Sequence, residues 1–217
     1  MKNFEKYAIL FLSPFNKAGN MDEKRLQQQI AFILEADKEK TILRQTHLSG
    51  KIRQENDAEH AWHMALMIFL LQEYSNEKID LAKTMMMALI HDVVEIDAGD
   101  TYAYDETALA TQALREQAAA KRIFGLLPPD QAQTLHALFN EFEANETPEA
   151  RFAHAMDNFQ PLLLNDCNDG LDWKKHAVTK TKVYKRQEKT KLGAEKIWQY
   201  TQKLIEKNVE KGNIKDE

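Results

Sequence analysis

The run Met85-Met86-Met87-Ala88-Leu89-Ile90-His91-Asp92-Val93-Val94-Glu95 constrains this chain more than any other. It is apolar for six residues and then ends in three groups able to bind a metal or carry a proton. A buried helix gains nothing from a terminal His-Asp pair unless something compensates it, because unpaired buried charge is costly. Adjacent helical residues point about 100° apart, so His91 and Asp92 can meet one ion at the helix flank. Glu95 follows His91 by four residues and shares its face. A capped helix end whose histidine satisfies backbone carbonyls would use the same residues, and this stretch alone leaves both readings open.

The rest of the chain narrows the choice of fold. Gly 7 and Pro 5 are few among 217 residues, while Ala, Leu, Lys, Glu, Gln and Met abound. These residues lose least on entering a helix, so the expected class is all-α. The length suits a single domain with a core of its own. The net charge is −5 with both signs interspersed, and no basic patch matches a polymeric nucleic acid. The single cysteine, Cys167, excludes an intramolecular disulfide, fits the reducing cytoplasm and reads as a small buried hydrophobe.

Punctuation divides the chain into helices. Residues 1–20 form an N-terminal extension; its apolar run Tyr7–Phe15 is too short to span a bilayer and carries no cleavage signature. Apolar residues recur at helical spacing from Asp22 to Arg44. Gln45–Glu55 contains Gly50 and reads as a loop. Asn56 or Asp57 caps a helix over 58–75 that is apolar nearly all round and is therefore expected to be central. The next helix covers 79–95. Helices over 105–124 and 129–144 are separated by Gly125 and Pro128-Pro129. Thr147-Pro148 opens a helix to 167, and one long Lys-rich helix from 173 to 207 closes the domain at 208. Residues 209–217 form a charged tail, expected to fray. No strand pattern is visible.

Three of these helices offer His60, the pair His91-Asp92, and Asp157, each among apolar neighbours. Asp157 lies between Phe152, Ala153, Ala155, Met156 and Phe159, and a core carboxylate needs a partner. Two imidazoles and two carboxylates suit a divalent ion such as Mn, Co, Fe, Zn or Mg. Such an ion acidifies bound water towards neutrality, making a nucleophile. Glu95 is then placed to orient that water or carry its proton.

An isolated His, a later His-Asp doublet and a distant Asp resemble the HD-domain metal-dependent phosphohydrolases. The likeness includes Arg53-Gln54-Glu55-Asn56-Asp57-Ala58-Glu59-His60, then His91-Asp92-Val93-Val94-Glu95 with Gly99-Asp100, and Thr147-Pro148-Glu149-Ala150-Arg151-Phe152 leading to Asp157. It covers roughly residues 22–185. The doublet alone carries little information; the four elements in order carry much more. Within the superfamily the chain is most similar to the HD-domain 5′-deoxynucleotidases. That resemblance implies one helical bundle of six to seven helices over residues 21–208 and metal binding by His60, His91, Asp92 and Asp157. It makes Glu95 the acid/base and gives Asp100 to a sugar hydroxyl. It gives Arg44 to the phosphate, with Arg53 as the alternative because the segment between Arg44 and His60 is about one residue longer than the family's. It further implies a cytoplasmic homodimer that hydrolyses a small phosphate ester, a nucleoside 5′-monophosphate.

Other readings compete. The superfamily also hydrolyses nucleoside triphosphates, alarmones and cyclic dinucleotides; the alarmone enzymes carry Glu-Asp after the doublet, where this chain has Glu95-Ile96. A di-iron oxygenase would need further ligands, for which His63, His136 and His154 are the candidates. A non-catalytic helical protein with a structural metal would have no use for Glu95. The family's Arg-Trp pair, whose indole crowds the 2′ position of the sugar, is Arg44-Gln45 here.

Overall fold

The computed structural model describes residues 21–100 and 106–217, so the 1–20 extension lies outside the described residues. Helix α1 (Met21–Ala36) runs into a 3-10 turn at Asp37–Thr41. A small antiparallel hairpin follows, β1 (Leu43–His47) with β2 (Gln54–Asn56). The helices α2 (Asp57–Leu71) and α3 (Leu81–Ile90) pack side by side and lie against α7 (Pro148–Cys167). Between them in sequence come the short turn α4 (Glu95–Ala98), α5 (Glu106–Phe124) and α6 (Pro129–Ala144). The chain ends in α8 (Leu171–Lys175), α9 (Lys180–Gln187), α10 (Thr190–Gly193) and α11 (Glu195–Glu210). Seven described helices have ten residues or more, which gives the all-α bundle expected.

Local chemistry sets the helix ends. Asn56 caps α2: its side chain accepts from the Glu59 amide while Glu59 reaches back to the Asn56 amide. Thr147 caps α7, with Pro148 at the first helical position. The main core joins Met64, Ile68, Met87, Phe152, Met156, Leu162 and Ile205. A second cluster seats Ile90, Val93 and Val94 against Ile123, Phe124 and Phe139.

Several expectations need correction. The segment read as a loop contains the hairpin, and the helix read as ending at Arg44 stops at Ala36, so Arg44 sits on a strand. The helix read to 95 ends at Ile90; His91 to Val94 form a turn in which the His91 side chain takes the carbonyl of Ala88. The long Lys-rich helix is four segments. At the break after Gly193 the chain runs so close to α7 that a Cβ there would collide with the Arg151 carbonyl, so only glycine fits. Helix α2 is not buried all round: Trp62, Leu66, Phe69 and Leu70 are exposed. Cys167 is exposed rather than buried. The C-terminal residues do not fray: Ile214 is buried, and the Lys215 amide donates to Val178. No helix among the described residues is long and apolar enough to cross a membrane.

Candidate metal centre and cavity

The turn after Ile90 breaks the helix register, which lets His91 and Asp92 both face inward rather than diverge along a helix. His91 Nδ1 donates to the Ala88 carbonyl at 2.8 Å, so Nε2 points into the bundle towards the carboxylates of Asp92 and Asp157. Helix α2 brings His60, wholly buried, with its ring centroid 5.6 Å from that of His91. From α7, Asp157 Oδ1 lies 3.2 Å from His60 Nε2 and 4.0 Å from His91 Nε2. Asp92 Oδ2 lies 3.1 Å from His91 Nε2 and 3.9 Å from His60 Nε2. Donor atoms of His60, His91 and Asp157 lie within 4.8 Å of one another, and Asp92 adjoins them. The four residues expected to share an ion therefore converge, and two buried imidazole nitrogens facing two carboxylates fit a divalent cation.

The electrostatics carry the same sign. Burial disfavours a charged His91, yet the Asp92 carboxylate overrides it and raises the imidazole to about 9. Burial likewise opposes ionisation of Asp157, but its bond to His60 and the nearby Arg186 guanidinium hold it well below the usual carboxylate range. Glu95 is 5% exposed, and burial beside Asp92 and Asp57 drives it strongly upward. Asp57 is raised to about 7 by burial and Asp92, and it shares a hydrogen bond with Glu95. Like-charged carboxyls packed this closely cannot all ionise, so they hold at least one proton.

His91, Asp92, Glu95 and Asp157 line a cavity of about 430 Å³, within the ~300–1,000 Å³ usual for small-molecule sites. Glu95 and Asp100 face it, and their carboxyl oxygens lie within 4.8 Å of one another and of Asp57. Arg44 lines it too, but its Nη1 donates to Asp92 Oδ2 at 2.6 Å and Asp57 Oδ1 at 3.2 Å. Arg53 does not join them: it pairs with Glu59 on the surface. Gln45 and Thr46 from β1 also face the cavity.

Sequence reasoning missed four residues here. Arg186 on α9 borders the cavity, 40% exposed, with Nη2 3.2 Å from Asp157 Oδ2; it was hidden in a Lys-rich run. Asp57 looked like a helix cap. Gln160, wholly buried one turn after Asp157, bonds His60; an amide among Phe159, Leu162 and Leu163 was the available signal. Glu39 sits in a charged 3-10 turn that reads as surface, yet it is 6% exposed with an unpaired Oε1. The histidines proposed for a second metal lie apart from one another in role: His154 donates to the Phe142 carbonyl, His136 packs edge-on against Phe124, and His63 meets Gln160.

A family model described as an HD domain matches residues 36–198. The chain is 29% identical over 111 residues to the protein named 5′-deoxynucleotidase HDDC2 from Homo sapiens, a stretch that is 51% of this chain and 53% of the human one. It is 28% identical over 117 residues to 5′-deoxynucleotidase hdd1 from Schizosaccharomyces pombe, 52% of this chain and 58% of that one. The chain thus spans about half the length of the curated relatives it matches. A crystal structure described as a predicted metal-dependent phosphohydrolase from Magnetospirillum magnetotacticum MS-1 is 49% identical, with a TM-score of 0.86, over 90% of this chain and 98% of that one. A conserved hypothetical protein from Pyrococcus furiosus, 23% identical with a TM-score of 0.56, shares the fold over 83% of this chain and 99% of its own.

Proposed function

We propose that this chain, which belongs to the HD-domain family, is a metal-dependent phosphohydrolase that releases phosphate from nucleoside 5′-monophosphates. The observation that carries the reading is one cavity lined by His91, Asp92, Asp157 and the buried carboxyl of Glu95, with His60 wholly buried beside the first three. The names of the human and Schizosaccharomyces pombe relatives, and the description of the Magnetospirillum structure, support it.

His60, His91, Asp92 and Asp157 would hold a divalent ion, of identity Mn, Co, Mg, Zn or Fe. When bound, such an ion acidifies water and polarises a phosphoryl oxygen. The remaining work falls to this chain's own side chains. Hydrolysis forms one P–O bond to water oxygen and breaks the ester P–O bond, so the water gives up a proton and the departing 5′ oxygen takes one. Glu95, with Oε2 unpaired and a proton held against Asp57, can give that proton to the departing 5′ oxygen and, once ionised, take up the one the water releases. Arg44 neutralises Asp92 and, with Arg186, offers guanidinium N–H groups to the phosphate. Asp100 accepts a hydrogen bond from a sugar hydroxyl.

The catalytic unit on this reading is residues 21–208, preceded by the 1–20 extension and followed by residues 209–217, whose Ile214 packs into its core, working as a homodimer in the reducing cytoplasm. The exposed stripe of Trp62, Leu66, Phe69 and Leu70 supports self-association. The test of function is phosphate release from ribo- and deoxyribonucleoside monophosphates beside nucleoside triphosphates, an alarmone and sugar phosphates. Release from the monophosphates alone supports the reading; release only from triphosphates or an alarmone overturns the substrate class.

A further inference from the structure

An imidazole ligates through one nitrogen only when the other carries the proton, so the partner of the far nitrogen decides what the ring can bind. His91 has a fixed partner, the backbone carbonyl of Ala88. His60 does not. Its Nδ1 lies 3.0 Å from Oε1 of Gln160, a side chain that is wholly buried. Gln160 could in principle present either end of its amide to the ring.

The far end of that amide settles the choice. Gln160 Nε2 lies 2.9 Å from Glu55 Oε2 and 3.2 Å from His63 Nδ1. Glu55 is 1% exposed, and its Oε2 accepts whether or not the other oxygen carries a proton. Turning the amide over would set two acceptor oxygens 2.9 Å apart in a buried place, which is costly. The amide nitrogen therefore faces Glu55 and His63, and the oxygen faces His60. That oxygen can only accept, so Nδ1 must donate. With Nδ1 donating to Gln160 Oε1, a ring carrying one proton directs the lone pair of Nε2 at the cluster. An opposing pull exists: Asp157 Oδ1, 3.2 Å from Nε2, would favour a proton on that nitrogen instead.

We propose that Glu55 and Gln160 are positioning residues that hold His60 in its Nδ1-protonated tautomer and so keep Nε2 ready to ligate. The inference rests on the metal-centre reading of the site. It assigns work to two side chains that touch neither metal nor substrate.

The test uses the whole chain free of metal and substrate, so a failure to hydrolyse nucleotides leaves it standing. Long-range ¹H–¹⁵N correlation spectra at pH 8 report which ring nitrogen of His60 is protonated. Wild type should show the proton on Nδ1. Gln160→Met, which keeps the volume and removes the acceptor, should move the proton to Nε2 against Asp157. Calorimetric titration with Zn should then show affinity weakened roughly 10–100-fold, the usual effect of losing such a partner. Glu55→Gln, which frees the amide to turn, should give a mixture of tautomers and a smaller loss; it carries the test if Gln160→Met fails to fold. A wild-type His60 protonated on Nε2 or on both nitrogens would overturn the proposal. So would folded variants whose tautomer and Zn affinity match wild type.

Discussion

Arg44 Nη1 donates to Asp92 Oδ2 at 2.6 Å, joining the hairpin strand β1 to the turn that carries two candidate ligands. Only 13% of the arginine side chain is exposed, and Asp57 accepts from the same nitrogen. Removing one partner of such a buried pair costs about 3–5 kcal/mol. Arg44→Ala should therefore lower the melting temperature sharply and weaken metal retention as well as turnover. Arg186→Ala should behave differently, because its side chain is 40% exposed. Losing one charge-assisted bond to phosphate, about 1.5–3 kcal/mol, should raise KM some 10–100-fold with little change in melting temperature. Thermal melts and steady-state kinetics on the two variants check this; a pure KM effect for Arg44→Ala would assign it to substrate alone.

Glu95→Ala should cut turnover by roughly 10²–10⁴-fold, the range for a general acid or base. Its metal content, measured by elemental analysis after purification, should stay near wild type, since the four-residue cluster does not include it. Unchanged turnover would reduce Glu95 to a structural group.

Glu39 gives a pH signature separate from catalysis. Burial raises its carboxyl to about 8 from an ordinary 4.5. The folded state then binds the proton more tightly than the unfolded chain, so stability is fully present below about pH 4.5 and falls as pH rises through about 8. Glu39→Gln removes that loss. In metal-free protein, the melting-temperature advantage of the variant over wild type should grow between pH 4.5 and 8. A gap independent of pH would mean that Glu39 ionises freely in the fold.

The helix starts at Asn56 and Thr147 and the stop at Gly125 were legible because caps and prolines act within a few residues. Asp157 was legible because a carboxylate among phenylalanines and alanines must be compensated. The break after Gly193 was not: this residue matters through its approach to the Arg151 carbonyl on another helix, which no local pattern encodes. The hairpin is not legible because Arg44 turns inward to reach Asp92 and Asp57, so the strand lacks the alternation of polar and apolar residues. Glu39, Gln160 and Arg186 acquire meaning only from partners brought by distant elements.

Gln45 faces the cavity where the resembled family carries Trp after its arginine. A glutamine can hydrogen-bond a 2′-hydroxyl, whereas an indole face crowds it. The specificity constants for AMP and dAMP should therefore differ little. A hundredfold preference for dAMP would show that another group excludes the hydroxyl.

The central claim is that His60, His91, Asp92 and Asp157 hold one ion on which phosphate release depends. The direct measurement is phosphate release from dAMP by chelator-stripped protein titrated in separate series with Mn, Co, Mg, Zn and Fe(II), the iron series run without oxygen. The account predicts no release without metal, and recovery that saturates at one ion per chain for at least one metal. It also predicts that Asp157→Asn recovers with none of them. Undiminished release by the stripped protein, or full recovery of Asp157→Asn at the same metal concentration, would contradict it.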